Sequence, residues 1–252
     1  MIPATLILGE ALDILAGIPD QSVDMIFCDQ PFGSTKNPFD EIIPIEPMFE
    51  QTRRIIKPNG AIALMGKDVF SGLLMTAHKT GYKHRWIWNK RSAGNYAVAK
   101  HMPLTVDEDI LIFTANGERP NYMPLMRTGK KRKKGGLSSE KAGRGFGGLP
   151  AVYYESDQYY PKSIITCPVV PRAKSRHPNQ KPTELAAYFI LTYSEPGATV
   201  LDFAMGSGST IEACIRTGRQ AIGIEKYPGI FNETVNYLKN PTGRFDMKLI
   251  ES

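Results

Sequence analysis

The stretch TVLDFAMGSGSTIEACIRTGRQAIGIE, residues 199–225, decides the fold. An apolar run ends in Asp202, Gly206-Ser207-Gly208 makes a tight loop that lets a ligand approach the backbone, and Ser209 or Thr210 opens a helix. A second apolar run then ends in Glu225, 19 residues beyond Gly206. An acid so placed accepts hydrogen bonds from ribose hydroxyls, which points to a nucleoside cofactor. Ile211 stands where a dinucleotide fingerprint has its third glycine, and the loop carries no Lys for phosphates. NAD and nucleoside triphosphates are therefore disfavoured. The plain alternative is a glycine turn between strand and helix, and the two acids at the strand ends count against it.

Outward from this unit the chain alternates strand-like and helix-like segments, the pattern of an α/β sheet. Seven strands are predicted, at residues 5–8, 23–28, 61–65, 82–88, 109–114, 199–203 and 220–224. Helices are predicted over Glu10 to Leu15, Pro47 to Ile56, Val69 to Lys79, Pro182 to Tyr193 and Ser209 to Thr217, with Pro58-Asn59-Gly60 and Pro196-Gly197 as turns. Residues 115–165 break the rhythm with repeated Gly, a basic run and the aromatics Val152-Tyr153-Tyr154 and Tyr159-Tyr160. They read as an insert within a single domain spanning 1–252.

Charge singles out the same insert. The chain carries a net +6, yet Arg127, Lys130, Lys131, Arg132, Lys133, Lys134, Lys141 and Arg144 face only Glu140 between residues 127 and 144, a net +7 that leaves −1 for the rest. Such a segment suits a polyanion, and its plain alternative is a solvated loop. No window offers the roughly 18 uninterrupted apolar residues of a membrane span, and the start MIPATLILGE lacks a secretory pattern, so no membrane partner and a cytoplasmic location are expected. Cys28, Cys167 and Cys214 are too widely spaced for a metal cluster and read as buried thiols, so no metal is expected.

A second chemical stretch, VDMIFCDQPFGST at residues 23–35, also ends a strand on an acid, Asp29. Asp29, Asp202 and Glu225 would then converge at the carboxyl edge of one sheet, where open α/β folds bind ligands. The motifs DQPF (29–32), HPNQKP (177–182) and LDFAMGSGST (201–210), in that order, resemble the amino-group DNA methyltransferases of the permuted β type. The form CDQPFGSTKNPFD is similar to short solitary adenine methyltransferases of phages and prophages.

The resemblance implies a Rossmann-like, seven-stranded mixed-sheet methyltransferase fold, S-adenosylmethionine as cofactor, double-stranded DNA as partner and residues 115–165 as target-recognition segment. It implies that Asp29 and a main-chain carbonyl near Gln30 take hydrogen bonds from a base amino group, that Pro31 shapes the turn, and that Phe32 stacks on the extruded base. It puts Lys181, Pro182 and Thr183 at the methionine end of the cofactor, Asp202, Phe203, Gly206, Ser207 and Gly208 along it, Glu225 on the ribose and Glu10 near the adenine. Arg127 and the run Lys130, Lys131, Arg132, Lys133 and Lys134 would contact DNA phosphates. Gln30 replaces the family's Pro and is expected to leave the turn freer; Phe32 replaces the commoner Tyr and keeps the stacking face. Asp at position 29 favours adenine over cytosine by family habit. An inactive nucleic-acid binder and a protein-amide methyltransferase remain as other classes. A homodimer is a candidate assembly on which the sequence is silent.

Overall fold

The computed structural model describes residues 3–35, 37–134, 154–177, 179–239, 241 and 247. The chain forms two compact units, one of Met1–Met123 with Ser163–Ser252, the other of Pro124–Lys162. Residues 115–123, grouped with the insert on sequence grounds, belong to the larger unit.

The larger unit begins with β1 (Ala4–Leu8), α1 (Ala11–Gly17), β2 (Val23–Cys28), α2 (Ile45–Ile55), β3 (Ile56–Gly66), α3 (Asp68–Ala77), β4 (Tyr82–Asn89) and β5 (Asp107–Phe113). The smaller unit holds β6 (Arg127–Lys134) and β7 (Tyr154–Tyr159). The chain returns through β8 (Ile164–Thr166), α4 (Thr183–Tyr193), β9 (Thr199–Asp202), α5 (Ser209–Thr217), β10 (Gln220–Glu225) and α6 (Pro228–Lys239). All seven predicted strands are present, and the three-residue β8 joins them to make an eight-stranded sheet. Its order is β1-β10-β9-β2-β3-β5-β4-β8. Neighbours from β1 to β3 are parallel, β5 runs antiparallel to both β3 and β4, and β8 is parallel to β4.

A mostly parallel sheet is covered on both faces, so its central strands are apolar throughout. In β2 only Asp24 escapes full burial, and Ile62, Leu64, Leu111, Phe113 and Leu201 continue the core on neighbouring strands. Helix α4 is buried on nearly every side, while α2 presents Met48, Phe49, Thr52 and Ile55 to the core at helical spacing. Two expectations change. Pro58-Asn59-Gly60 is extended backbone within β3: the register with β2 jumps from Val23↔Ile56 to Met25↔Ala61, and Asn59 O accepts a hydrogen bond from Asn121 N at 2.8 Å, which holds the bulge open. Helix α6 is an addition to the five predicted helices; Pro228 occupies its first turn, where the missing N–H costs nothing.

In the smaller unit β6 and β7 pair antiparallel, from Arg127↔Tyr159 to Lys134↔Tyr154. The basic run is thus a strand, with a register shift between Thr128 and Arg132. Lys141, Arg144, Val152 and Tyr153 lie outside the described residues.

The glycine loop between β9 and α5 is shaped by two left-handed residues, Gly206 at φ +48° and Gly208 at φ +76°. A side chain at Gly208 would come within 2.7 Å of Thr234 Cγ2 on α6, whereas one at Gly206 would meet nothing nearer than Ala204 O at 3.9 Å. Gly208→Ala should therefore lower stability by about 2–4 kcal/mol, combining φ strain with overpacking, and Gly206→Ala by only ~1–2 kcal/mol. Urea unfolding of the two variants checks the order.

Candidate active site

The first four strands of the sheet are parallel neighbours, and each ends beside a carboxylate on the same edge. Glu10 follows β1, Glu225 ends β10, Asp202 ends β9 and Asp29 follows β2. Asp202 is buried. Burial pushes its carboxyl up to about 6, against the Thr210 hydroxyl, the Ala204 amide (3.1 Å) and the Cys28 thiol, all of which favour the anion. Burial, with Asp202 beside it, pushes the Cys28 thiol well up, so it remains a neutral donor. Glu225 accepts Gly206 N at 3.1 Å on one oxygen and Tyr227 N at 2.8 Å on the other, so it braces both the glycine loop and the approach to α6. Glu10 lies at the surface, where Lys226 Nζ meets it at 2.8 Å and Glu41 at 3.4 Å.

Around the loop, Ser207 is buried and its carbonyl accepts Arg176 at 3.2 Å, while Thr234 Oγ1 donates to Gly206 O at 2.7 Å. Phe203 belongs to the hydrophobic core. Pro182 is buried at the start of α4. Thr183 Oγ1 donates to Glu212 at 3.2 Å, and Glu212 also binds Arg216 at 2.7 Å and Tyr237 at 3.1 Å. Arg176 lies 3.2 Å above the Tyr237 ring. This buried acid and its partners tie α4, α5 and α6 together beneath the loop. Sequence reading missed Glu212 and Arg176, whose roles depend on which helix faces meet.

Lys181 is held by two carboxylates. Its Nζ is 2.7 Å from Asp29 Oδ2 and 3.5 Å from Glu108 Oε2, while Lys90 holds the other Glu108 oxygen at 3.0 Å. Burial by itself would pull the Lys181 ammonium down; Asp29 and Glu108 outweigh it and hold the group above the ordinary lysine value, so it stays charged. Burial raises Asp29, Lys181 counters this, and the Glu108 charge pushes the same way as burial. For Glu108 burial also works upward, but Lys181 and Lys90 prevail and its carboxyl lies below the ordinary range. Glu108 escaped sequence reading because its contribution depends on the direction of β5. In an antiparallel strand the first residues, here Asp107-Glu108-Asp109, reach the edge where the parallel strands end.

The loop after Asp29 is tethered. Gln30 is buried, and its Nε2 donates to Met65 O at the end of β3 at 2.6 Å, so Gln30 anchors the turn instead of freeing it. Pro31 is half-buried. Phe32 is half-buried against Phe70, ring centroids 5.2 Å apart, with Lys181 Nζ 5.9 Å from its centroid. Asp40 gathers the next residues: one oxygen accepts Phe32 N (2.9 Å) and Gly33 N (3.0 Å), the other Thr35 N (2.6 Å) and Ser34 Oγ (3.3 Å). Gly33, at φ +66°, also leaves no room for a side chain beside Ile42.

In the smaller unit Arg127, Lys130, Lys131 and Lys133 are exposed. Arg132 stacks over Tyr159 at 3.8 Å, and Lys131 pairs with Glu155 at 3.2 Å. Lys134 ends the strand. Among the described residues no cluster of three or more His, Cys, Asp or Glu could hold a metal, and Cys28, Cys167 and Cys214 are buried free thiols. No helix among the described residues is long and apolar enough to cross a membrane.

A family model for DNA methylases of the N6/N4 type matches residues 23–236. The chain is 30% identical over 251 residues to the DNA adenine methyltransferase YhdJ of Escherichia coli strain K12, covering 88% of this chain and 78% of that protein. It is 24% identical over 252 residues to the type II methyltransferase M.BglII of Bacillus subtilis, covering 86% of this chain and 64% of that one. Among solved structures it is similar in fold to the cytosine-N4-specific PvuII DNA methyltransferase, with TM-score 0.67 and 13% identity over 98% of this chain and 89% of that one. A complex of M1.HpyAVI with S-adenosylmethionine matches with TM-score 0.60 and 19% identity over 92% and 98%.

The Asp40 carboxylate provides a test of the loop. Burial tends to raise it, but the bonds from Thr35, Gly33 and Phe32 outweigh burial and leave it below the ordinary value of 3.8. A depressed acid stabilises the fold above its unfolded value and loses that contribution as pH falls through the folded one. Asp40→Ala should speed hydrogen exchange at the Phe32, Gly33 and Thr35 amides by roughly tenfold at neutral pH, with the difference from the parent shrinking as the acid protonates at low pH. Exchange measured by NMR at neutral and low pH checks it.

Proposed function

The chain belongs to the DNA methylase family of the N6/N4 type, and from that premise we propose that it transfers a methyl group from S-adenosylmethionine to the exocyclic amino group of an adenine swung out of duplex DNA. The observation that carries this reading is the row of carboxylates Glu10, Glu225, Asp202 and Asp29 on four adjacent parallel strand ends, with Phe32 beyond the last of them. The open space over Gly206 and the acids around it fit a cationic nucleoside cofactor. Glu225 would take the ribose, Asp202, Ser207 and the backbone at Phe203, Gly206 and Gly208 would line the cofactor, and Pro182 and Thr183 would close its methionine end. Glu10, at the rim, would lie nearest the adenine ring. When bound, S-adenosylmethionine supplies an electrophilic methyl group on a sulfonium.

The chain's own part is to make the base nitrogen a nucleophile and to place it. The lone pair of an adenine amino group is delocalised into the ring. Hydrogen bonds from its two protons to Asp29 and to a carbonyl of the Gln30-Pro31 turn would localise that pair on nitrogen. Phe32 would hold the base plane by stacking, and placing nitrogen, carbon and sulfur in line supplies much of the remaining acceleration. Methyl transfer to the amino nitrogen, with the sulfur keeping the carbon–sulfur pair, would leave the chain to remove one amino proton. Burial makes Asp29 more basic than an exposed aspartate, which suits it to receive that proton. Extrusion of the base costs a few kcal/mol, offset by stacking and edge hydrogen bonds. Arg127, Lys130, Lys131, Arg132, Lys133 and Lys134 on the smaller unit would take phosphates, with residues 115–165 as the recognition segment. Adenine is favoured over cytosine by Asp29 and by the similarity to an adenine methyltransferase. A cytoplasmic protein acting on DNA, alone or as a homodimer, completes the reading; light scattering with and without DNA measures the assembly.

Incubation with methyl-labelled S-adenosylmethionine and unmethylated duplex DNA, followed by nucleoside analysis, should place the label on the adenine amino group. Label on cytosine would change the base, and no label would overturn the function. Asp29→Ala should keep cofactor affinity within about twofold and lose roughly a hundredfold or more in rate, as when one transition-state hydrogen-bonding group is deleted. Replacing Lys130, Lys131 and Lys133 by Ala should lower the salt dependence of DNA binding by up to about 0.9 for each phosphate that is no longer neutralised. An unchanged slope would remove these residues from the interface.

A further inference from the structure

Glu108 stands beside the reaction centre without a part in the chemistry derived above. It is the second residue of β5, with only 13% of its side chain exposed. One of its oxygens is held by Lys90 at 3.0 Å. The other, Oε2, is buried without a hydrogen-bond partner and faces Lys181 Nζ at 3.5 Å, while that same ammonium rests on Asp29 at 2.7 Å.

We propose that Glu108 is a positioning residue that draws the Lys181 ammonium away from Asp29 when the target amino group docks, leaving the Asp29 carboxylate free to accept an N–H. The proposal rests on the reading of Asp29 as the amino-group acceptor.

Three features argue for it. An ammonium at 2.7 Å occupies one of the two Asp29 oxygens and weakens the whole carboxylate as an acceptor, and a cation held there opposes the positive charge that builds on the amino nitrogen during methylation. Lys181 has little exposed surface, so it needs another anion if it leaves Asp29, and Glu108 Oε2 already stands within ion-pair distance on its other side. Lys90 fixes Glu108 from behind. The group of Asp29, Glu108, Lys181 and Lys90 is neutral whichever acid holds the shared cation, so the shift creates no net charge in the site. The movement required is short, from one oxygen to another across a gap already bridged. Lys181 Nζ also lies 5.9 Å from the centroid of Phe32, so the cation whose position Glu108 sets borders the ring on which the base would stack.

The test uses single-turnover methylation of unmethylated duplex DNA by the full chain. Glu108→Gln should slow the methyl-transfer step by roughly tenfold or more while S-adenosylmethionine affinity stays within about twofold, and Glu108→Asp should restore most of the rate. In a Lys181→Met background, Glu108→Gln should change the rate by less than about twofold, because the cation it acts through is gone. Equal slowing in both backgrounds would overturn the proposal. A second arm needs no DNA: in a crystal structure of Asp29→Asn, Lys181 Nζ should lie nearer Glu108 than residue 29. An ammonium that stays on residue 29 or turns to solvent overturns the proposal even if the variants lose activity. Failure of the wild-type chain to label DNA would refute the methyltransferase reading instead, and the crystallographic arm would still decide this one.

Discussion

A charge taken out of water must find a partner, and at the carboxyl edge of this sheet that requirement falls on Lys181. Its ammonium lies between Asp29, just after β2, and Glu108, at the start of β5. The two acids come from strands that run in opposite directions, and β3 separates them in the sheet. Lys181 itself arrives on the segment leading into α4, so one side chain joins three otherwise remote parts of the chain. Removing a single partner from such a cluster leaves an uncompensated charge, which costs more than the pair contributes. The geometry of the Asp29 loop follows from this arrangement, with Gln30 and Asp40 fixing its two ends.

The other half of the edge is organised by main-chain donors. Glu225 and Asp202 accept amides of the segments that follow their strands, so their carboxylates are oriented before any ligand arrives. Beneath them Glu212 gathers Thr183, Arg216 and Tyr237, which fixes the helices that carry the glycine loop. One end of the edge is thus neutralised by a side-chain cation and the other by rigid dipoles. Chemistry that moves charge on a base nitrogen suits the first, and recognition of a fixed nucleoside suits the second.

Much of this is legible in the sequence because it is local. Asp202, the glycine loop, the helix from Ser209 and the acid ending at Glu225 are encoded within one strand-loop-helix-strand run, and the seven longer strands of the eight-stranded sheet carry their own apolar signal. What escapes depends on pairing between distant segments. Glu108 becomes a site residue only because β5 is reversed; Asp40 becomes a loop organiser only because its carboxylate folds back five to eight residues. The strand character of the basic run is supplied by pairing with β7, and β8 is too short to show a period. Pro58-Asn59-Gly60 carries a strong turn signal, which the pairing of Ile56 and Ala61 with β2 and the hydrogen bond from Asn121 override. Lys181 is legible from its motif, but its neighbours are set by the reversal of β5.

The junction of β2 with β9 has a consequence for biosynthesis. Met25 and Ile26 pair with Val200 and Leu201, and the Asp24 carboxylate accepts the Thr199 amide at 2.9 Å across 175 residues of chain. At roughly 5–20 residues per second, β2 would wait about 10–35 s after synthesis before its partner exists. Through that interval one edge of an almost wholly apolar central strand stands unpaired. The two halves of the active edge therefore cannot assemble progressively from the N-terminus: Asp29 is made early, yet its surroundings are completed among the last strands to leave the ribosome. Until the long-range pairing closes, that edge is a template on which a neighbouring chain could pair.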